Sequence, residues 1–452
     1  MAAALPASPT RVFVMTRAAS DTTSRTVPAG RDLTLDLTRV VCVLVVVFVH
    51  ILFTGVGRAD DGSLVIEKTV ELLPWFASGT WIVNIMPLFF VVGGYAARAG
   101  WRSAIARGDS ADGFVRVRLA RLARPALPVF VFFALALGIT RLIDLDPAFV
   151  DSIAIGVGSP LWFLAAYLIA QACAPFMMRL HERYGMRVLV VLLLAGFAVD
   201  AFRFLFIGEA LGIDRVAPTG YEFGQELFGI PNILFVWLFA QQVGFFFYDG
   251  WFARRSGWQL GMIVAGGYAL LWSLVAFAGY PASMLTNQWP PTAPMAVLAV
   301  IQAAGLMLLH RPLTALMRTR TAQGAVLVAG SRLMTIYLWH FPVIMTLIGL
   351  ELLLPVPMPV PGSALWWWTR PLFFVIVLIA VWALSLWLVR FEKTPQQQPA
   401  RFASSRATVA AILVFAAPVI AITTYGLDLS LAAASLIGAT VALWLTGARR
   451  PR

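Results

Sequence analysis

The stretch RDLTLDLTRVVCVLVVVFVH, residues 31–50, carries Asp36, Arg39 and His50 within one apolar run. Arg39 and His50 are eleven residues apart. At about 3.6 residues per turn that is close to three whole turns, so the two side chains share one helical stripe, roughly 16 Å apart along the axis. An ionisable side chain at the middle of an apolar span is costly and faces a cavity or the interior of a bundle. An imidazole there is expected to be neutral, and a neutral imidazole can take a proton from a hydroxyl. Arg39, at the beginning of the run, offers a planar fork of donors suited to phosphate. Asp36 precedes Arg39 by three residues and is expected to pair with it. Cys42 lies somewhat off the stripe and reads as a small packing residue.

The elements that must position these groups are membrane spans. The chain has 452 residues, 60% hydrophobic and 12% charged. The charged share is roughly half that of a soluble globular domain. Twelve apolar stretches near the spanning length of about 20 residues are predicted at 37–57, 78–98, 124–143, 160–178, 186–206, 227–248, 258–279, 292–309, 326–354, 366–390, 408–425 and 428–446. The connecting segments alternate in charge. Seven arginines fall in 98–124, for example, and Asp144, Asp146 and Asp151 in the next segment. Basic segments mark the cytoplasmic side, so both termini are expected there. The fold class is therefore an all-α polytopic transmembrane bundle of about ten core helices with a C-terminal pair. Residues 1–30 lack apolar periodicity and are expected to be a disordered cytoplasmic tail. The first apolar run has no small-residue cleavage pattern after it and should remain as a span.

Net charge is +12. Multi-pass proteins retain basic residues on one side of the membrane, which accounts for that sum without nucleic acid as a partner. Only Lys68 and Lys393 among the 34 basic residues are lysine, a bias that points to a GC-rich bacterial genome, and with the spans to a bacterial inner-membrane protein. Cys42 and Cys173 form no paired motif, so neither a disulfide framework nor a metal site is expected.

Five stretches in order resemble the acyltransferase-3 family of membrane-bound acyltransferases. They are the Arg39–His50 spacing, MPLFFVVGGYA (Met86–Ala96), FVRVRLARLARPALPVF (Phe114–Phe130), SPLWFLAAYL (Ser159–Leu168) and YLWHFPV (Tyr337–Val343). Gly93 stands where the family often has serine. The resemblance spans roughly residues 31–392, leaving 393–407 as a cytoplasmic linker and 408–452 as an extra hairpin and basic tail. It implies transfer of an acyl group, most simply acetyl, from cytoplasmic acyl-CoA to a hydroxyl of a cell-envelope sugar, glycolipid or related acceptor. The implied roles are His50 as general base and His340 as its partner, an acceptor contact or an oxyanion donor. Arg39, Arg118, Arg121 and Arg124 are the phosphate-binding candidates. Arg98, Arg102 and Arg107 read only as topology markers. His340 is expected at the depth of His50, with Tyr337 on the same face at i−3. Asn84, Trp162, Tyr337 and Gln242 are candidate substrate contacts, although intramembrane amides more often join helices. His181 and His310 fall in predicted cytoplasmic loops. The alternative is a twelve-helix proton-coupled exporter of an envelope precursor, which would also use central ionisable residues.

Overall fold

Without water to satisfy them, backbone amides in hydrocarbon must bond within their own segment, so long apolar runs become helices. The computed structural model describes residues 32–59, 61–144, 158–207, 228–354, 358–392 and 404–447. The N-terminal tail and most of the expected linker lie outside the described residues. Helices occupy Leu33–Phe53 (α1), Phe76–Val83 (α2), Met86–Ala106 (α3), Ala111–Leu142 (α4), Trp162–Tyr184 (α5), Met186–Ala201 (α6) and Asn232–Tyr248 (α7). They continue with Gly257–Ala278 (α8), Ala293–Leu316 (α9), Arg320–Gly330 (α10), Leu333–Leu353 (α11), Ala364–Glu392 (α12), Ser405–Tyr425 (α13) and Leu429–Leu445 (α14). Each of the twelve expected stretches coincides with one or two helices, although the first ends at Phe53 and its expected last residues begin strand β1. Among the described residues, nine segments are long and apolar enough to cross a membrane, and α7 and α14 are shorter apolar helices. The sixteen-residue α6 is prolonged by a π-helical turn, Phe202–Ile207. The molecule is an all-α, multi-pass membrane bundle.

Several boundaries differ from the sequence reading. The second span is broken, α2 ending at Asn84 and α3 beginning with Pro87 in its first turn. The peptide groups freed by the break are met by side chains. Asn84 Oδ1 accepts from Met86 N at 3.3 Å, Gln302 Oε1 on α9 accepts from Leu88 N at 2.8 Å, and Gln302 Nε2 donates to the Asn84 carbonyl at 2.7 Å. The Arg-rich stretch before residue 124 is already helical, capped by Ser110, which accepts from Gly113 N. The expected 326–354 span is two helices, α10 and α11, parted at Ser331–Arg332.

The helices bearing the five quoted motifs pack in a closed ring, α1 on α3, α3 on α5, α5 on α4, α4 on α11 and α11 on α1. The closest crossing joins α3 to α7. A Cβ on Gly94 would lie 2.1 Å from the Gln241 carbonyl oxygen, and one on Gly244 2.0 Å from that of Val91. Only hydrogens fit there, the usual means of bringing two membrane helices into backbone contact. The C-terminal pair, α13 and α14, packs on α4 and α5. Arg116 Nε donates to Thr408 Oγ1 at 3.0 Å, and Phe415 and Val419 are fully buried. Between α1 and α2 lies a short antiparallel hairpin, β1 (Gly55–Arg58) with β2 (Leu64–Glu67), in which Gly55 faces Glu67 and Arg58 faces Leu64.

Candidate active site

His50 and His340 meet. His340 Nε2 is 3.2 Å from His50 Nδ1, and the ring centroids are 4.9 Å apart. Their placement follows from α1 and α11 packing side by side, with His340 fully buried. The surrounding carbonyls fix the tautomers. His340 Nδ1 lies against the Tyr337 carbonyl of its own helix. A carbonyl oxygen only accepts, so Nδ1 must carry the proton, and in the neutral ring Nε2 then holds a lone pair. His50 Nδ1 lies 2.9 Å from the Val46 carbonyl and by the same logic is protonated. Its N–H is shared between Val46 and His340 Nε2. The lone pair of His50 is therefore on Nε2.

His50 lines a cavity of about 840 Å³ formed by the C-terminal halves of α1 and α11, the β1–β2 hairpin, α2, the start of α3 and the segment before α9. Asn84, Trp162 and Tyr337 line it too. Tyr337 is held by a hydrogen bond from its hydroxyl to the Pro160 carbonyl. Asn84 is tied by Nδ2 to the Met284 carbonyl at 2.9 Å, so it shapes the wall as much as it faces the space. Sequence reasoning missed the hairpin and Gln288 as parts of this wall. An Asp-Gly turn at Asp61–Gly62 between GVGR and LVIE was the available clue.

The arginine candidates gather elsewhere, toward the N-terminal end of α1. The charges of Arg39 and Arg121 both act on Arg118. Arg118 donates from Nε to Gln171 Oε1 at 3.0 Å, and its guanidinium stacks over Phe114, 3.3 Å from the ring centroid. Arg124 is buried and Arg121 exposed. Among the described residues no hydrogen bond or ion pair joins Asp36 to Arg39, so the pair expected from the i,i+3 spacing is not formed, and Asp36 has an interaction of its own. Arg39, Arg118 and Arg121 thus lie near enough for their like charges to interact. Gly93, on the neighbouring stretch of α3, is matched to Tyr167, since a Cβ there would sit 2.7 Å from the tyrosine ring.

Three further expectations are corrected. His181 is not a surface residue: α5 continues through Pro175 to Tyr184, which buries the imidazole. Its Nε2 bonds Asp249 at 2.8 Å, and its Nδ1 accepts from Gln242 at 2.7 Å. Gln242 thus belongs to this cluster and not to the cavity wall. Arg98 does more than mark topology, because it bridges Glu182 at 2.6 Å and Asp249 at 3.4 Å. A third buried cluster centres on Asp200, which accepts from Asn232, Tyr280 and Ala293 N. Burial, and then the Asp200 carboxylate, push the Tyr280 phenol above its ordinary range, so it stays a donor.

The described residues form an apolar multi-pass bundle in which His50, half-buried at a cavity, meets the fully buried His340, an arrangement open to more than one class of membrane protein. Comparison with known families identifies which. Residues 32–390 match the family model described as an acyltransferase domain, and the chain belongs to the acyltransferase-3 family. No curated protein and no solved structure matches the chain.

Proposed function

We propose that this protein is an inner-membrane O-acyltransferase that takes an acyl group, acetyl in the first instance, from cytoplasmic acyl-CoA and places it on a hydroxyl of a cell-envelope sugar, glycolipid or related acceptor. The observation that carries the reading is the His50 imidazole, with Nδ1 held by Val46 and His340 and its ring at a cavity large enough for a substrate. In this reading both termini are cytoplasmic, the arginine end of α1 faces the donor, and the cavity faces the acceptor. Arg39, Arg118, Arg121 and Arg124 hold the donor phosphates, and the pantetheine arm brings the thioester toward His50.

His50 Nε2 takes the proton from the acceptor hydroxyl as the oxygen adds to the thioester carbonyl carbon. The tetrahedral intermediate collapses with cleavage of the carbon–sulfur bond, and the proton on Nε2 passes to the departing CoA sulfur. While both nitrogens of His50 are protonated, His340 Nε2 accepts from the charged ring and steadies it. No covalent enzyme intermediate is needed.

The test is incorporation of label from radiolabelled acetyl-CoA into envelope material by membranes carrying wild type or His50→Ala. Loss of incorporation in the variant is expected, with donor binding retained. Unchanged incorporation together with lost export of a precursor would replace this reading by the proton-coupled exporter. Mass spectrometry of envelope lipids and glycans with and without the protein then gives the acceptor.

A further inference from the structure

Asp200, near the end of α6, is 1% exposed, and among the described residues no other carboxylate is buried. Its Oδ1 accepts from Asn232 Nδ2 on α7 at 2.7 Å. Its Oδ2 accepts twice, from the Tyr280 hydroxyl at 2.9 Å and from Ala293 N at 2.8 Å. Tyr280 and Ala293 stand at the two ends of the connection between α8 and α9, so one carboxylate oxygen clasps that connection shut. Ala293 N is a first-turn amide of α9 with no partner inside its own helix. Within the clasp the chain is stiffened by Asn287, whose Nδ2 donates to the Pro281 and Ser283 carbonyls at 2.7 and 2.8 Å, and by Thr292 Oγ1, which donates to Asn287 Oδ1 at 2.6 Å. The clasped segment in turn holds the broken second span. Met284 N donates to Thr80 Oγ1 at 2.8 Å, and the Met284 and Ala282 carbonyls accept from Asn84 Nδ2 and Trp81 Nε1 at 2.9 and 2.7 Å. Leu285 and Gln288 of this segment, with Thr80 and Asn84, line the His50 cavity. Apolar packing alone could hold α6 against α7, and a buried carboxylate is costly. What three donors converging on it add is a fixed position for a wall that has no regular secondary structure of its own.

We propose that Asp200 is a positioning residue for the acceptor side of the cavity. It touches no substrate. By closing the α8–α9 connection it sets where Asn84, Leu285 and Gln288 stand relative to His50. The role as an acceptor wall rests on the acyl-transfer reading of His50; the clasp itself does not. His50 and His340 stand on α1 and α11, outside the clasp, so loosening it weakens acceptor binding and leaves proton transfer in place. Asp200→Asn is the conservative variant. Its Oδ1 can keep both Tyr280 and Ala293, and its NH2 can meet Asn232 Oδ1, a buried oxygen that makes no hydrogen bond with a described residue. Asp200→Leu fills similar space and accepts from none of the three donors.

The experiment uses the full chain in nanodiscs and has two readouts. The first is the distance distribution between nitroxide labels on Ala282→Cys and Leu353→Cys, with Cys42 and Cys173 replaced by alanine. One narrow peak is expected for wild type and for Asp200→Asn, and a broad distribution for Asp200→Leu below its melting temperature. The second is transfer of radiolabelled acetyl from acetyl-CoA to a titrated extract of envelope sugars and glycolipids. Asp200→Leu should raise the acceptor KM about tenfold, the scale of one or two lost hydrogen bonds. The donor KM and kcat should stay near wild type, because uniform binding is what is lost. Asp200→Asn should recover most of the acceptor KM. Tyr280→Phe opens one end of the clasp, should raise the acceptor KM about threefold, and carries the test if Asp200→Leu does not fold. A lower melting temperature with an unchanged distance distribution and acceptor KM would reduce Asp200 to packing and overturn the proposal. An equal fall in kcat, or Asp200→Asn as damaging as Asp200→Leu, would overturn it too. The expected distances with no acetyl transfer to any acceptor by wild type would reject the enzymatic reading and leave the clasp standing.

Discussion

Replacing His340 by phenylalanine keeps a ring of similar size in its buried slot and removes the one acceptor that faces His50 Nδ1 across helices. In the resting state little changes, because the Val46 carbonyl still holds the Nδ1 proton at 2.9 Å. In the transition state His50 becomes an imidazolium, and its bond to His340 becomes a charge-assisted one, a class worth about 1.5–3 kcal/mol. At 3.2 Å the contact is long, so the lower value applies. A loss of about 1.5 kcal/mol is roughly tenfold in kcat, with KM for both substrates unchanged because the bond strengthens only as the ring takes the proton. His340→Gln, whose carbonyl can again accept from Nδ1, should recover part of the loss. The measurement is transfer of radiolabelled acetyl from acetyl-CoA by the protein in nanodiscs, with kcat and KM separated. His50→Ala in the same assay should lose far more, about 10²–10⁴-fold. A His340→Phe enzyme with wild-type kcat would refute the argument, as would one whose defect lies entirely in KM.

Arg39→Ala should raise KM for acyl-CoA with little change in kcat, because phosphate contacts bind ground and transition states alike; equal donor affinity in the variant removes Arg39 from the donor site. Gly244→Ala places a methyl against the Val91 carbonyl and should cost about 1–3 kcal/mol of stability by overpacking, read as a fall in melting temperature, and an unchanged Tm would contradict the α3–α7 crossing. Gln302→Leu leaves the Leu88 amide and the Asn84 carbonyl without partners at about 1–3 kcal/mol each, and a stability loss below that range would mean the broken span has another support.

Hydropathy made the helices legible because a peptide group in hydrocarbon has so few alternatives. The segments 258–279 and 366–390 match α8 and α12 to within a few residues. Counting residues from the start of each span likewise put His50 and His340 at one depth, although their direct contact depends on how α1 and α11 are rotated, which no single segment encodes. What failed was decided between segments. The fourth span was expected to close at residue 178, where the apolar run ends, but a helix continues while its backbone groups have no better partner. α5 therefore ran on and buried His181. The partner of Gln242, His181, lies beyond the expected end of its span, so the pair is not readable from either segment alone. The break at Asn84 had a local clue in Pro87, but its repair by Gln302 comes from a residue more than two hundred positions away. The arginine cluster was visible as a motif, whereas the proximity of Arg39 to Arg118 depends on how separate helices are assembled.

The family match stops at residue 390, yet the bundle does not. α13 and α14 clamp the outer side of α4 and α5, with Ser405 donating to Asp112 at 2.8 Å and Arg116 reaching both Thr408 and the Ser404 carbonyl. A shortened version ending at the homology boundary would turn Arg116 and Asp112 toward lipid and strip cover from the helices that present Arg118, Gln171 and Trp162. Such a truncation reports on assembly of the fold, and its inactivity would say nothing about regulation by the C-terminus.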